Sequence, residues 1–311
     1  MTTLTLYSPA GVVLRAAPLR RAARRLHALG FEVHTDEAAL ARHQRFAGDD
    51  EVRLAALHRV AAQAPGVALA TRGGYGLSRL LDRIDLKRVA RSIERGTRWV
   101  GHSDFTVLQL ALLARPKLAG VGATWAGPMA CGDFGRPDAD GGLDEVTRDC
   151  FVEAMSGALQ AVGFRTEPGF DGLQLRGTLW GGNLCMVNSL LGTRHFPHIR
   201  HGILFLEDVN EHPYRIERSL LQLQQAGVLD AQRAVLLGHF SDWRKSPMDR
   251  GYSLKTVLAK VRSLTKTPIL TGLPFGHVPT LVSLPVGARA SLLVQRREVL
   301  IGWGGAHGHP D

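Results

Sequence analysis

Cysteine is scarce in this chain of 311 residues, with Cys131, Cys150 and Cys185 its only three. An odd, widely spaced set supports neither a disulfide framework nor a zinc knuckle, so the thiols read as buried or idle. Aromatic residues make up only 6%, which argues against the stacking platforms that bind single-stranded nucleic acid. No uninterrupted apolar run approaches the length that crosses a bilayer. The opening MTTLTLYSPAGVVL lacks the basic, apolar and small-residue succession of a secretory signal. These absences lead to the expectation of a cytoplasmic protein with no membrane partner.

What is present suits a globular fold, with 45% hydrophobic and 21% charged residues. The length allows two domains with a cleft between them. The net charge of +10 keeps anionic partners in view. Its densest basic stretch, PLRRAARRLHALGF at 18–31, sets Leu19, Ala22, Ala23, Leu26 and Leu29 on one helical stripe with arginines opposite. That is the pattern of a solvated helix, and without a nucleic-acid motif beside it no nucleic-acid partner is expected.

Hydrophobic periodicity alternates strand and helix through the first half: TLTLYSP, a helix over 18–29, FEVHT, a helix over 50–64, GVALAT, a short helix in SRLLDRI, RWVG and a helix in TVLQLALLAR. The order predicts an α/β fold with a parallel sheet covered on both faces, its ligand crevice beyond the C-terminal strand ends. A helical stretch near 145–162 precedes GFRTEPGFDG, where Gly and Pro break the pattern. The expected organisation is a first domain over 1–163, a linker over 164–172 and a smaller α/β domain over 173–311. The second half ends in ARASLLVQRREVLIGW, which reads as a β-hairpin.

Chemistry is suggested at four strand ends. In WVGHSDFT, Ser103 follows one strand and precedes a helix, as in a nucleophile elbow, although Phe105 stands where G-x-S-x-G has its second glycine. Helix capping by Ser103 or Asp104 is the alternative. RGGYG at 72–76 lacks the spacing of a dinucleotide fingerprint and reads as a cleft-shaping loop, an oxyanion donor or a plain tight turn. Glu207 ends the apolar run GILFLE, where a carboxylate needs a partner, and Asp208 is its alternative because side chains alternate along a strand. His277, in LPFGHVP, sits on a turn after another strand with a pKa suited to proton transfer. Serine, acid and histidine in that chain order match an acyl-transfer triad. His195, His198 and His201 in HFPHIRH offer no metal site, because Pro197 prevents a helix from displaying them together, and no cofactor is expected. His102, adjacent to Ser103 in a tight turn, is not taken as the base.

The blocks TRGGYGLSRLLDRID, VGHSDFTVLQLAL, GGNLCMVNSLLGT, ILFLEDVNEHPYRIERSLLQL and LPFGHVPTLVSLPVGARASL together resemble the LD-carboxypeptidase family of serine peptidases. The resemblance implies a Rossmann-like N-terminal domain, a smaller C-terminal α/β domain, a site in the cleft between them and a homodimer. It implies Ser103 as nucleophile, Glu207 rather than Asp208 as acid, and His277 as base. The implied substrate is a murein tetrapeptide, cleaved at its L,D-bond to release D-alanine. Asp104, Gly73 and Gly74 are the expected backbone donors to the oxyanion, and Arg72 the candidate for the terminal carboxylate. The chain departs from the family in having His102 before the nucleophile, where an aromatic residue is usual, and in the histidine-rich RHFPHIRH. The alternatives are a same-family self-immunity peptidase acting on a peptidyl-nucleotide antibiotic and, from another class, a dinucleotide- or nucleic-acid-binding protein.

Overall fold

Strand and helix alternate from the second residue of the computed structural model, which describes residues 1–115, 118 and 123–303. The first half runs β1 (Thr2–Tyr7), α1 (Ala16–Ala28), β2 (Phe31–Thr35), α2 (Asp50–Gln63), β3 (Val67–Ala70), α3 (Leu86–Glu94), β4 (Arg98–Gly101), α4 (Thr106–Leu113) and β5 (Thr124–Ala126). The basic helix α1 buries Leu19, Ala22 and Leu26, as its stripe predicts. Asp49 and Asp85 start α2 and α3 by accepting the backbone N–H groups of Val52 and Arg88. The short helix expected in SRLLDRI shrinks to one 3-10 turn at Leu77–Arg79, with Leu80, Leu81 and Ile84 buried after it.

Strands β1 to β5 are parallel, in the order β5-β4-β3-β1-β2. Chain direction across the sheet reverses between β1 and β3, and such switch points open a crevice beyond the strand ends. The loops after β1, β3 and β4 all reach this rim.

The second half runs α5 (Glu145–Ser156), β6 (Ala161–Arg165), β7 (Gln174–Asn183), α6 (Leu184–Ser189), β8 (Ile203–Val209), α7 (Pro213–Gln225), β9 (Ala234–Ser241), α8 (Leu254–Arg262), β10 (Ile269–Thr271), β11 (Leu284–Val286), β12 (Arg289–Gln295) and β13 (Glu298–Trp303). A seven-stranded sheet has the order β10-β9-β8-β7-β12-β13-β6. β7 to β10 are parallel, while β12 and β13 form the antiparallel hairpin. Among the described residues no helix is long and apolar enough to cross a membrane.

Two expectations need correction. The helix expected to reach residue 162 stops at Ser156, because Gly157 adopts φ +87° and ends it in a left-handed cap. The chain then enters β6, where Phe164 and Arg165 pair with Val299 and Glu298. The expected linker 164–172 thus begins inside a paired strand. β11 crosses the other way, pairing Leu284 with Ala126 and adding a sixth strand to the first sheet.

The halves also share one apolar core, in which Leu4 and Val100 of the first sheet belong with Phe205 and Leu292 of the second. One place where they meet is α4 against β7. A Cβ on Gly182 would stand 2.4 Å from Thr106 Oγ1, and that hydroxyl accepts the Asn183 N–H at 3.1 Å. Only glycine allows this approach, and its φ of +134° excludes other residues as well.

Candidate active site

Strand β4 is buried at Trp99 and Val100 and ends in a turn that lifts Ser103 out of the core. Ser103 has φ +62°, a left-handed conformation that serine enters at a cost. Its side chain caps no helix: neither the 3-10 turn Ser103–Phe105 nor α4 has a side-chain cap. Phe105 takes the place of a second glycine by folding back over Gly101, where a Cβ would lie 2.8 Å from the phenyl ring. Asp104 points the other way, accepting the Leu77 N–H at 2.7 Å. Burial pushes the Asp104 carboxyl up to about 6, against that hydrogen bond and the Arg53 charge.

The glycine loop after β3 lies directly against this turn. A Cβ on Gly73 would come within 2.7 Å of Ser103 Cβ and 2.8 Å of its Oγ. Gly74 adopts φ +84°. The buried guanidinium of Arg53 donates to Gly76 O at 2.8 Å, and Gly11 N–H donates to Gly73 O at 3.2 Å, so the loop is held from two sides. Gly73→Ala is expected to abolish most turnover and to lower the unfolding midpoint as well, because the added methyl would stand 2.7 Å from Ser103 Cβ and the turn that carries it must shift. Parallel activity and urea-unfolding measurements check this.

Glu207 and Asp208 stand together near the end of β8, where the pairing with β9 slips between Leu206 and Asp208. Such a bulge breaks the strict alternation of side chains. Both carboxylates consequently reach Asn183, whose Nδ2 donates to Glu207 Oε1 at 3.2 Å and to Asp208 Oδ1 at 2.9 Å. Asp208 also accepts the Cys185 N–H at 2.9 Å, and burial raises its carboxyl to about 6. Glu207 is fully buried and reaches further, its Oε2 lying 2.8 Å from His277 Nδ1.

His277 follows Gly276, whose φ of +137° lets the loop pass within 3.4 Å of Glu207 Oε2 at the position of a Cβ. Ser241 Oγ fixes the loop by donating to His277 O at 3.1 Å. A carboxylate only accepts, so His277 Nδ1 carries hydrogen and Nε2 is the free basic nitrogen. Burial lowers the affinity of this imidazole for a proton, but the Glu207 hydrogen bond and charge outweigh it and leave the pKa raised.

Ser103 and His277 line one cavity of about 490 Å³ with Arg72, Gly73, Gly74 and Cys131. Among the described residues the Ser103 hydroxyl makes no hydrogen bond, to His277 or otherwise, an arrangement common before substrate binds. The sequence assigns no role to two neighbours. Asn183 joins the two acids, and its only sequence signal is its helix-capping position. His102 is buried with its ring centroid 4.9 Å from that of His277, and its Nδ1 lies 2.9 Å from Gly127 O. Burial and the adjacent His277 hold His102 below the usual imidazole pKa. Cys131 is free, and burial raises its thiol to about 11 despite Arg72. The other histidines lie elsewhere: His195 Nε2 contacts Asp82 at 2.8 Å and His198 meets Phe196 edge-on. No group of three or more metal-ligating side chains occurs among the described residues.

The model of the LD-carboxypeptidase N-terminal domain matches residues 4–123, and that of the C-terminal domain matches residues 176–292. The chain belongs to the LD-carboxypeptidase family. Membership makes it a peptidase-type hydrolase by class. The crystal structure of muramoyltetrapeptide carboxypeptidase from Oxalobacter formigenes is similar to this LD-carboxypeptidase at 39% identity and a TM-score of 0.88, over 98% of this chain and 99% of that one. The murein tetrapeptide carboxypeptidase of Pseudomonas aeruginosa is 30% identical over 93% of this chain and 92% of its own length. The microcin C7 self-immunity protein in complex with aspartyl sulfamoyl adenosine shares the fold, with a TM-score of 0.82 at 20% identity over 97% and 96% of the two chains.

Proposed function

We propose that this LD-carboxypeptidase is a serine-type enzyme that hydrolyses the L,D-peptide bond of murein tetrapeptides, releasing D-alanine and the tripeptide. The observation that carries the reading is the single cavity in which Ser103, raised on its left-handed turn, shares a wall with His277 backed by Glu207. The peptidyl-nucleotide alternative draws only on a likeness of fold at 20% identity. Gly73 packs against Ser103, so the glycine loop serves the nucleophile better than it would a dinucleotide.

His277 Nε2 takes the Ser103 proton as Oγ attacks the scissile carbonyl, while Glu207 remains charged and stabilises the imidazolium. Backbone N–H groups of Asp104 and of Gly73 or Gly74 meet the developing oxyanion. The imidazolium then protonates the departing amine of D-alanine, and water hydrolyses the acyl-enzyme by the same steps in reverse.

A carboxypeptidase must also bind a free carboxylate. Arg72 lines the cavity, and its Nη1 donates to Val12 O at 3.0 Å, which fixes the guanidinium while leaving donors free. Arg72→Ala is expected to raise KM about tenfold or more with a smaller change in kcat, an effect of the size of a charge-assisted hydrogen bond. An unchanged KM removes Arg72 from this role.

The decisive experiment incubates the protein with murein tetrapeptide and follows D-alanine by mass spectrometry, with Ser103→Ala alongside. Release that vanishes in the variant supports reaction and nucleophile together. No release from folded protein overturns the substrate assignment.

A further inference from the structure

The imidazole of His277 has two neighbours that restrain it, and only one of them belongs to the triad. Glu207 Oε2 lies 2.8 Å from its Nδ1. One hydrogen bond fixes a distance but leaves the ring free to swing about it. The second neighbour is His102, only 4% exposed, whose ring centroid stands 4.9 Å from that of His277 with the planes at 74°. Aromatic rings prefer such edge-to-face contact, and in a packed interior it resists rotation of either partner.

His102 is itself pinned. Its Nδ1 lies 2.9 Å from Gly127 O, and because a carbonyl only accepts, this nitrogen carries hydrogen. Gly127 follows β5 and is tied to β4 by its own N–H, which donates to Gly101 O at 3.4 Å. The His102 ring also meets Phe275, with centroids 6.2 Å apart, and Phe275 is fully buried against Phe205 of β8. Burial and His277 outweigh the nearby carboxylates of Asp133 and Glu207, so the ring stays uncharged at neutral pH. His102 is also the residue before the nucleophile. One short turn therefore carries both the attacking oxygen and the ring that bears on the base.

We propose that His102 is a positioning residue, whose ring holds the His277 imidazole at the angle from which Nε2 reaches Ser103. The inference rests on the triad reading above and adds to it.

Three variants separate the ring from its hydrogen bond. Phenylalanine keeps an aromatic ring without the donor to Gly127, asparagine keeps a donor without the ring, and alanine has neither. His102→Ala and His102→Asn are expected to lower kcat for D-alanine release about tenfold to a hundredfold with KM changed by less than about twofold, the effect of slightly misplacing a reacting group. His102→Phe is expected to recover most of the loss. Asparagine fills more of the buried space than alanine, so its comparison with phenylalanine holds even where alanine lowers the urea midpoint. The Nδ1 proton of His277, assigned by NMR through its absence from His277→Gln, is expected to be sharp in wild type and His102→Phe and broadened in the other two. Full activity in His102→Asn, or a signal that stays sharp there, overturns the inference. So does a loss in His102→Phe as deep as in His102→Asn, which would give His102 a role through its nitrogens instead. If wild-type protein releases no D-alanine while the His277 signal still depends on the ring at position 102, the proposed reaction fails and the positioning stands.

Discussion

Ser103→Ala is expected to lower kcat/KM by at least about a thousandfold while the protein unfolds at its normal urea midpoint. The stability half follows from what the hydroxyl does not do. It makes no hydrogen bond among the described residues and caps no helix, so its removal breaks no structural contact. Alanine inherits the same φ of +62°, with the same backbone strain that serine tolerates there. The activity half follows from the loss of the attacking oxygen, which leaves only the backbone donors and the binding of substrate. Wild-type turnover by the variant would dismiss Ser103 as nucleophile, whereas a lowered unfolding midpoint would make the kinetic loss uninformative about chemistry.

Glu207→Gln is expected to cost about 10³–10⁴-fold in kcat and to move the acid limb of the pH–rate profile to lower pH. The sign of the shift comes from the balance at His277. Burial lowers its pKa and Glu207 raises it, with a net upward shift. The base works only when neutral, so the native enzyme loses activity as pH falls through this raised value. Glutamine keeps the burial and removes the charge, so the pKa drops and the variant holds its reduced rate to lower pH. Glutamine can also donate to Nδ1 and stabilise the opposite tautomer, which puts hydrogen on the nitrogen that should accept it. A pH–rate profile with an unmoved acid limb would show that Glu207 does not tune this imidazole.

Ser103, Glu207 and His277 stand out as candidates in the sequence because each lies at or beyond the end of an apolar strand, β4 in the first sheet and β8 and β10 in the second. The parallel order of β1 to β5 follows from the same alternation. The assumption that only one of Glu207 and Asp208 faces inward fails for a local reason, since alternation presumes regular pairing and the bulge in β8 lies at these residues. In the sequence only Gly and Pro mark a division at 163. Pairing of β6 with β13 depends on residues far away in sequence, which a local pattern does not encode. Neighbours in a tight turn usually diverge, which gives His102 no part beside Ser103 on sequence grounds. Its ring nevertheless meets His277, because that histidine arrives from a different loop.

The seam at Gly182 and Thr106 bears on how the enzyme comes into being. Thr106 and Asn183 are 77 positions apart, and Glu207 and His277 are separated by a further 70. Closing loops of this length costs chain entropy and slows folding. On the proposed triad, a nascent chain that has emerged only through its first sheet carries Ser103 without His277 and is inert toward any peptide it meets. Hydrolysis begins when the last strands dock, so turnover itself reports that the whole polypeptide has reached its native state.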